Sequence, residues 1–265
     1  MNGVTKRSHR LVVGLFCLAS CLTSSAALAH FGMVIPGQPI IGQDNKSTEI
    51  TLSFSHPFEN HTMNLEKPKR FYVVKEAENT DLISTLKEIN LLDHKAFTSS
   101  FTFKRPGVYQ FVMEPTPYWE PSEDVSIIHY TKTIVPAFGD DQGWDQPVGL
   151  PTEIIPLLRP FGNYAGNSFV GKVLVDGKAA AGAEVEVELY NQGGLYQAPS
   201  DYHITQVVMA DSNGIFTFTC PVAGWWGFAA LTEADYTIED PEGNDKGVEL
   251  GAVLWTYFHP MTAAQ

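Results

Sequence analysis

The sequence predicts an all-β protein: two β-sandwich domains in series behind a cleaved secretory signal peptide. Three observations carry this. Short runs that alternate apolar and polar residues recur after residue 29, the period of half-buried strands. Clusters of Gly, Pro, Asn and Asp separate them roughly every 8–12 residues, the spacing of a sandwich. No helical period alternates with the strands, which excludes a parallel α/β fold.

The export signal comes first. Lys6, Arg7 and Arg10 precede an apolar run from Leu11 to Leu22, and Ala27 and Ala29 supply the small residues of a peptidase site. Cleavage after Ala29 makes His30 the first mature residue. Leu18-Ala19-Ser20-Cys21 also has the form of a lipoprotein box, which would place a lipid on Cys21 and leave His30 internal. Cleavage after Ala29 is preferred, because the small residues there otherwise have no role. Both routes export the chain, and a periplasmic location is expected.

Without residues 1–29 the chain has fourteen basic and thirty acidic residues, a formal charge of −16 against −13 for the whole. Such a surface argues against nucleic acid and anionic lipid as partners and draws cations. Cys17 and Cys21 lie in the signal region, so Cys220 stands alone and no intrachain disulfide is expected. Burial must therefore hold the core, and 16 Phe, 10 Tyr and 5 Trp provide the apolar area. After the signal no apolar run is long enough to span a membrane.

The first domain is expected over residues 30–165. Thr48–Phe54 alternates with its even positions inward, and His56 continues that register past the strand end, where Pro57 turns the chain. Phe71–Lys75 reads as a strand, while 81–92 fits neither period. Phe97, Ser99, Phe101 and Phe103 share a strand face that ends at Arg105-Pro106-Gly107, and Val108–Met113 follows. A tyrosine just after such a turn is common in immunoglobulin-like sandwiches. Residues 115–121 are too proline-rich for regular structure and read as a stiff exposed loop. Val125–Val135 is a strand with His129 on the face of Val125 and Ile127. Residues 136–166, rich in Gly, Pro and Asp, read as a linker holding one short strand near Ile154–Leu158.

The second domain is expected over 166–265. Phe169–Val175, the Asp176-Gly177 turn and Ala183–Tyr190 form a hairpin. Val185, Val187 and Leu189 are expected inward, with Glu184, Glu186 and Glu188 in water. Strands over 204–209, 215–219, 224–231 and 248–258 complete the sandwich.

No phosphate loop, G-x-S-x-G elbow, H-E-x-x-H pair or C-x-x-C motif occurs, which leaves the histidines as the main chemistry available. An N-terminal His30 offers its α-amine and Nδ1 to one ion in a six-membered chelate ring. A second imidazole would complete a nitrogen site for nickel, cobalt or copper. His56, at a strand end, can reach across a rim. His129, mid-strand among apolar neighbours, fits a core residue as well as a ligand. His61 and His94 sit in polar surroundings, and His203 and His259 have no partner visible in the sequence.

His30-Phe31-Gly32-Met33-Val34-Ile35-Pro36, Ser53-Phe54-Ser55-His56-Pro57-Phe58-Glu59 and Ile127-Ile128-His129-Tyr130-Thr131-Lys132-Thr133, with Arg159–Asn167 and Ala223–Phe228, together resemble the exported DUF4198 family. Within it they are similar to the NikK-like additional periplasmic components of nickel energy-coupling-factor (ECF) transporters. The second half alone is similar to the carboxypeptidase-regulatory-like sandwich. The resemblance implies capture of Ni2+, or Co2+, outside the inner membrane and delivery to the membrane components of an ECF transporter. It includes His30, His56 and His129 as metal ligands; His94 falls in a less distinctive segment and is a second-tier candidate. Four nitrogens suit tetragonal Ni(II) or Cu(II), and affinity is expected to fall as pH drops from about 8 to 5, through the amine and imidazoles. Two alternatives share the layout. One is a secreted copper histidine-brace enzyme oxidising polysaccharide, with Tyr118 and Trp119 as its platform. The other is a non-metal structural or adhesion module.

Overall fold

A computed structural model describes residues 29–263. Residues 1–28 of the expected signal peptide, with Lys6, Arg7, Arg10 and the lipid-acceptor candidate Cys21, lie outside the described residues. The first half contributes β1 (Phe31–Pro36), β2 (Ser47–His56), β3 (His61–Met63), β4 (Arg70–Lys75), β5 (Glu78–Asp81), β6 (Lys87–Leu91), β7 (His94–Thr102), β8 (Gly107–Glu114), β9 (Tyr118–Glu120) and β10 (Val125–Ala137). Next come β11 (Thr152–Pro156), β12 (Asn163–Tyr164), β13 (Ser168–Val175), β14 (Lys178–Ala179), β15 (Glu184–Leu189) and β16 (Gln206–Met209). The chain then runs through β17 (Ile215–Thr219), β18 (Gly224–Glu233), β19 (Ile238–Glu239), β20 (Asp245–Lys246) and β21 (Val248–His259). The protein is nearly all β, built as two β-sandwiches. Among the described residues no helix is long and apolar enough to cross a membrane.

The two sandwiches share one long sheet, ordered β16-β15-β18-β21-β10-β8-β4-β5. Its seam is the parallel pairing of β10 with β21, from Ser126 opposite Val248 to Thr133 opposite Trp255. Side chains alternate across a strand, so each face of this sheet can take its own cover. On one face lies the sheet β1-β2-β7-β6, with Ile50, Leu52 and Phe97 packed on Phe71, Phe111 and Val135. On the other lies β11-β13-β14 with β17, where Phe169 and Phe216 pack on Phe228, Ala230 and Leu254. β1 also reaches over the seam, seating Phe31 and Met33 on Ala229, Val253 and Trp255.

Local chemistry explains the joints. Asp176 and Gly177 take φ of 49° and 71°, the positive pair that a two-residue hairpin turn requires. The Tyr109 hydroxyl donates to the Arg105 carbonyl at 2.8 Å, locking the turn into β8 as the sequence anticipated for a sandwich corner. The ambiguous stretch 81–92 resolves into the end of β5, a 3-10 turn over Ile83–Thr85 and the mostly exposed β6. With so little of it buried, it had no face to write an alternation on.

Three expectations change. Thr152–Pro156 and Asn163–Tyr164 precede the expected break at 165/166, yet pair with β13 and β21. The chain crosses between sandwiches earlier, within residues 138–151. Residues 115–121 are not an exposed irregular loop: prolines bracket β9, which pairs with Val125–Ile127 and brings Tyr118 onto Phe54 at 5.0 Å between ring centroids. Most consequential is β15. Its outward face is covered by chain from the first half, so Glu186 and Glu188 are buried, at 8% and 1% exposure, while Glu184 alone reaches water.

Glu188 accepts from the Phe58 amide at 3.1 Å and from the Thr205 hydroxyl. Burial pushes both carboxyls up, each to about 8, with neighbouring acids adding to the rise; for Glu188 its two hydrogen bonds only partly oppose it. The unfolded chain ionises these groups near 4.5, whereas the folded chain keeps their protons to about 8. The folded state then binds more protons across that window, so stability falls as pH rises from about 4.5 to 8. Glu186→Gln is accordingly expected to raise the thermal midpoint at pH 8 and to leave it nearly unchanged at pH 4.5. Equal gains at both values in parallel thermal melts would contradict this origin.

Candidate metal centre

Of the four histidines singled out in the sequence, His30 and His56 meet where β1 enters the seam, and His129 lies on the far side of Phe54. His30 precedes β1, His56 ends β2 and His129 lies in the middle of β10; all three are buried. The His30 and His56 ring centroids are 4.6 Å apart. Phe54 stands between His30 and His129, stacked on the first at 5.5 Å and edge-on to the second at 5.8 Å. His94 is not brought to this group: it is reached from His56 only through His61. His203 caps a surface turn with Ser200, and His259 packs on Tyr257.

Two carboxylates, both unforeseen, complete the centre. Glu120 Oε2 lies 3.1 Å from His30 Nε2, and Glu249 Oε1 lies 3.3 Å from His129 Nε2. Glu249 comes from β21, so the second sandwich furnishes part of a centre that the sequence placed within the first. Glu120 escaped notice because a proline-bracketed segment gives no burial signal. Glu249 escaped because its partner is 120 residues away.

These contacts fix which ring nitrogen carries hydrogen. An ionised carboxylate only accepts, so His30 and His129 each donate from Nε2 and keep a lone pair on Nδ1. In His30 that is the nitrogen nearest its own backbone nitrogen. His129 Nδ1 accepts weakly from the Gly32 amide at 3.4 Å. His56 Nδ1 donates to the Ala29 carbonyl at 2.8 Å and keeps its lone pair on Nε2. Glycines make the room: a Cβ on Gly251 would stand 2.6 Å from His129 Nε2, and one on Gly32 would stand 3.2 Å from His129 Cβ. Any side chain at Gly251 would push the imidazole off its place.

The electrostatics favour neutral His30 and His56 rings and charged Glu120 and Glu249 carboxylates. Burial, then His56 and His129, pull His30 down to about 4 despite the two glutamates. Burial also lowers His56, with the Ala29 carbonyl opposing. For Glu120 burial works the other way, but Ser122 and His30 outweigh it and hold the carboxyl below its ordinary value. Glu249 is held low likewise, by the His129 bond prevailing over burial. Neutral imidazoles are the form that binds metal.

Among the described residues, no three His, Cys, Asp or Glu side chains already surround one point as a ligand set would. Phe54 separates His30 from His129, the His30 backbone nitrogen is in a peptide bond to Ala29, and the Ala29 carbonyl accepts from His56 Nδ1. Cys220 offers no alternative donor, being buried with its thiol pushed well up by that burial.

No curated protein matches the sequence. Among solved structures the chain is similar to the D0-D1 domain of intimin, at 11% identity over 87% of this chain and 100% of that one, with a TM-score of 0.25. It is also similar to a two-domain fibronectin type III segment from chicken tenascin, at 12% identity over 86% and 100%, with a TM-score of 0.22. Likenesses this distant say nothing about the histidines. The model of the domain of unknown function DUF4198, by contrast, matches residues 27–234, and the chain belongs to that family.

Proposed function

We propose that this protein, once exported and cleaved after Ala29, is a periplasmic Ni2+-binding protein of the NikK-like kind. It captures the ion, or Co2+, through His30, His56 and His129 and hands it to the membrane components of an ECF transporter. The observation that carries this reading is the 4.6 Å approach of His30 to His56, with a carboxylate on the far nitrogen of His30. Two imidazoles bound to one ion at about 2.0–2.1 Å have ring centroids roughly 4.5–6.4 Å apart, the upper limit being a linear pair. Cleavage would free the His30 amine, while the His56 Nε2 lone pair is available with or without the Ala29 carbonyl on Nδ1. Carboxylates behind ligating imidazoles orient them and raise their basicity.

Proton competition follows from the same site. His30 is lowered to about 4 and His56 is lowered too, so these two imidazoles give up their protons more readily than free ones. Proton competition then falls more on the terminal amine, near 7.7–8.0, and affinity is expected to fall with pH less steeply than four free donors would give. The copper-oxidase alternative has less support, because Tyr118 and Trp119 lie half-buried in β9 and Tyr118 packs on Phe54. Intact mass and N-terminal sequencing of the exported protein, followed by its metal content, test the proposal. The expected result is a chain beginning at His30 with about one equivalent of Ni2+ retained through gel filtration. A lipidated Cys21 terminus, or a His30 terminus without metal after loading, would refute it.

A further inference from the structure

The buried centre does not end the run of imidazoles. From His56 it continues outward: His61 stacks on His56 at 5.5 Å with the planes 12° apart, and His94 stands 6.2 Å from His61, edge to face. His61 is exposed and His94 half-exposed, so this run leads from solvent to the buried His56 and His30. The order follows from the topology. β3 folds back on β2 with His61 directly opposite His56, and β7 brings His94 alongside.

The hydrogen bonding of His94 makes it a donor to a cation. Its Nδ1 faces the Leu92 carbonyl at 3.2 Å and the Thr62 hydroxyl at 2.9 Å. That hydroxyl has its own proton directed to the Leu91 and Leu92 carbonyls, at 3.1 and 3.3 Å. Nδ1 therefore faces acceptors and must carry the ring hydrogen, which leaves the lone pair on Nε2. Neither ring nitrogen of His61 has a hydrogen-bond partner among the described residues. The separation of the pair falls within the range that two imidazoles sharing one ion adopt, and the exposed His61 is free to turn about its side-chain bonds. The net negative charge of the chain supplies the attraction.

We infer that His61 and His94 form a second, weaker site for a divalent transition-metal ion at the mouth of the buried centre, through which the ion enters and leaves. This rests on the metal-binding reading of that centre. Two imidazoles with water completing the shell hold an ion loosely, as a way station requires, and His56 faces His61 on one side and His30 on the other. The role differs from that of a ligand in the final site, which is where the sequence had put His94.

The test is Ni2+ titration of the cleaved full-length mature protein by equilibrium dialysis and calorimetry, with association followed by stopped flow. The wild type is expected to take up two equivalents, one tight and one weak. His61→Ala/His94→Ala is expected to lose the weak equivalent and to associate about tenfold more slowly. His30→Ala is expected to keep the weak equivalent alone. Thermal melts of each variant establish that it is folded, and His94→Ala singly, distant from the core, serves if the double variant is not. A single equivalent in the wild type, abolished by His30→Ala and associating at the same rate in the double variant, would overturn the entry site while leaving the buried centre standing. No Ni2+ uptake by the wild type would overturn both.

Discussion

His30→Ala is expected to lower Ni2+ affinity by about two orders of magnitude or more, close to 3 kcal/mol at the least. One extra residue ahead of an intact His30 should do nearly the same. The two variants remove different things. The first deletes an imidazole and leaves a terminal amine; the second keeps the imidazole and turns the amine into a peptide nitrogen that cannot donate. An extension also restores a carbonyl in the place of Ala29, which accepts from His56 Nδ1 at 2.8 Å and leaves the Nε2 lone pair available. If an imidazole cluster alone held the ion, the extended chain would bind as well as the natural one. Calorimetry on the two variants separates the cases. Glu120→Gln, which weakens the grip on His30 Nε2 without touching a ligand, is expected to cost 10–100-fold by the usual scale of such supporting contacts. Unchanged affinity in the extended protein would remove the chelate from the account.

What the sequence disclosed of this centre is its imidazoles, and what it hid is their setting. Alternation in Thr48–Phe54 put His56 on an inward face, because a strand with one buried side writes that side in every second residue, and the apolar run Val125–Val135, buried on both faces, carried His129 inward with it. The same rule misled at β15. Val185, Val187 and Leu189 face the core, but the opposite face, with Glu186 and Glu188, is buried too, by segments such as Phe58 that lie 130 residues away. Alternation reports that one face is apolar; it does not report that the polar face is wet. Glu249 and Glu120 were invisible for the same reason, since each acquires its meaning only from a histidine 120 or 90 residues distant. The two sandwiches were legible, because turn chemistry at Asp176-Gly177 and the corner at Tyr109 is local. Their sharing of one sheet was not, since the parallel seam of β10 with β21 joins residues more than a hundred positions apart.

Lys132→Met is expected to destabilise the fold by about 3–5 kcal/mol, the scale of leaving a buried charge without its partner. Lys132 and Glu153 are 1% and 2% exposed in their side chains and 2.6 Å apart. Burial pulls the ammonium down from its ordinary value, with the Glu153 carboxylate opposing. The carboxylate also accepts from the Val148 amide at 2.9 and 3.2 Å and from the Gly149 amide at 3.1 Å. The pair therefore fastens the segment that crosses between sandwiches onto the central strand β10. Methionine keeps the apolar stem and removes only the charge, so the loss is electrostatic rather than a cavity effect. In a chain of this size that corresponds to a thermal midpoint lower by roughly 10 °C. Adding Glu153→Gln to Lys132→Met should restore part of the loss, because the neutral amide still accepts from Val148 and Gly149 without an unpaired charge. Additive losses in the double variant would mean that the two side chains act independently and that the crossing segment is held by its backbone bonds alone. Strand alternation places Lys132 on the opposite face of β10 from His129 and Thr131. Loosening this fastening is thus expected to act on the metal centre only through the position of β10 itself, and Ni2+ affinity measured well below the lowered midpoint should change far less than stability does.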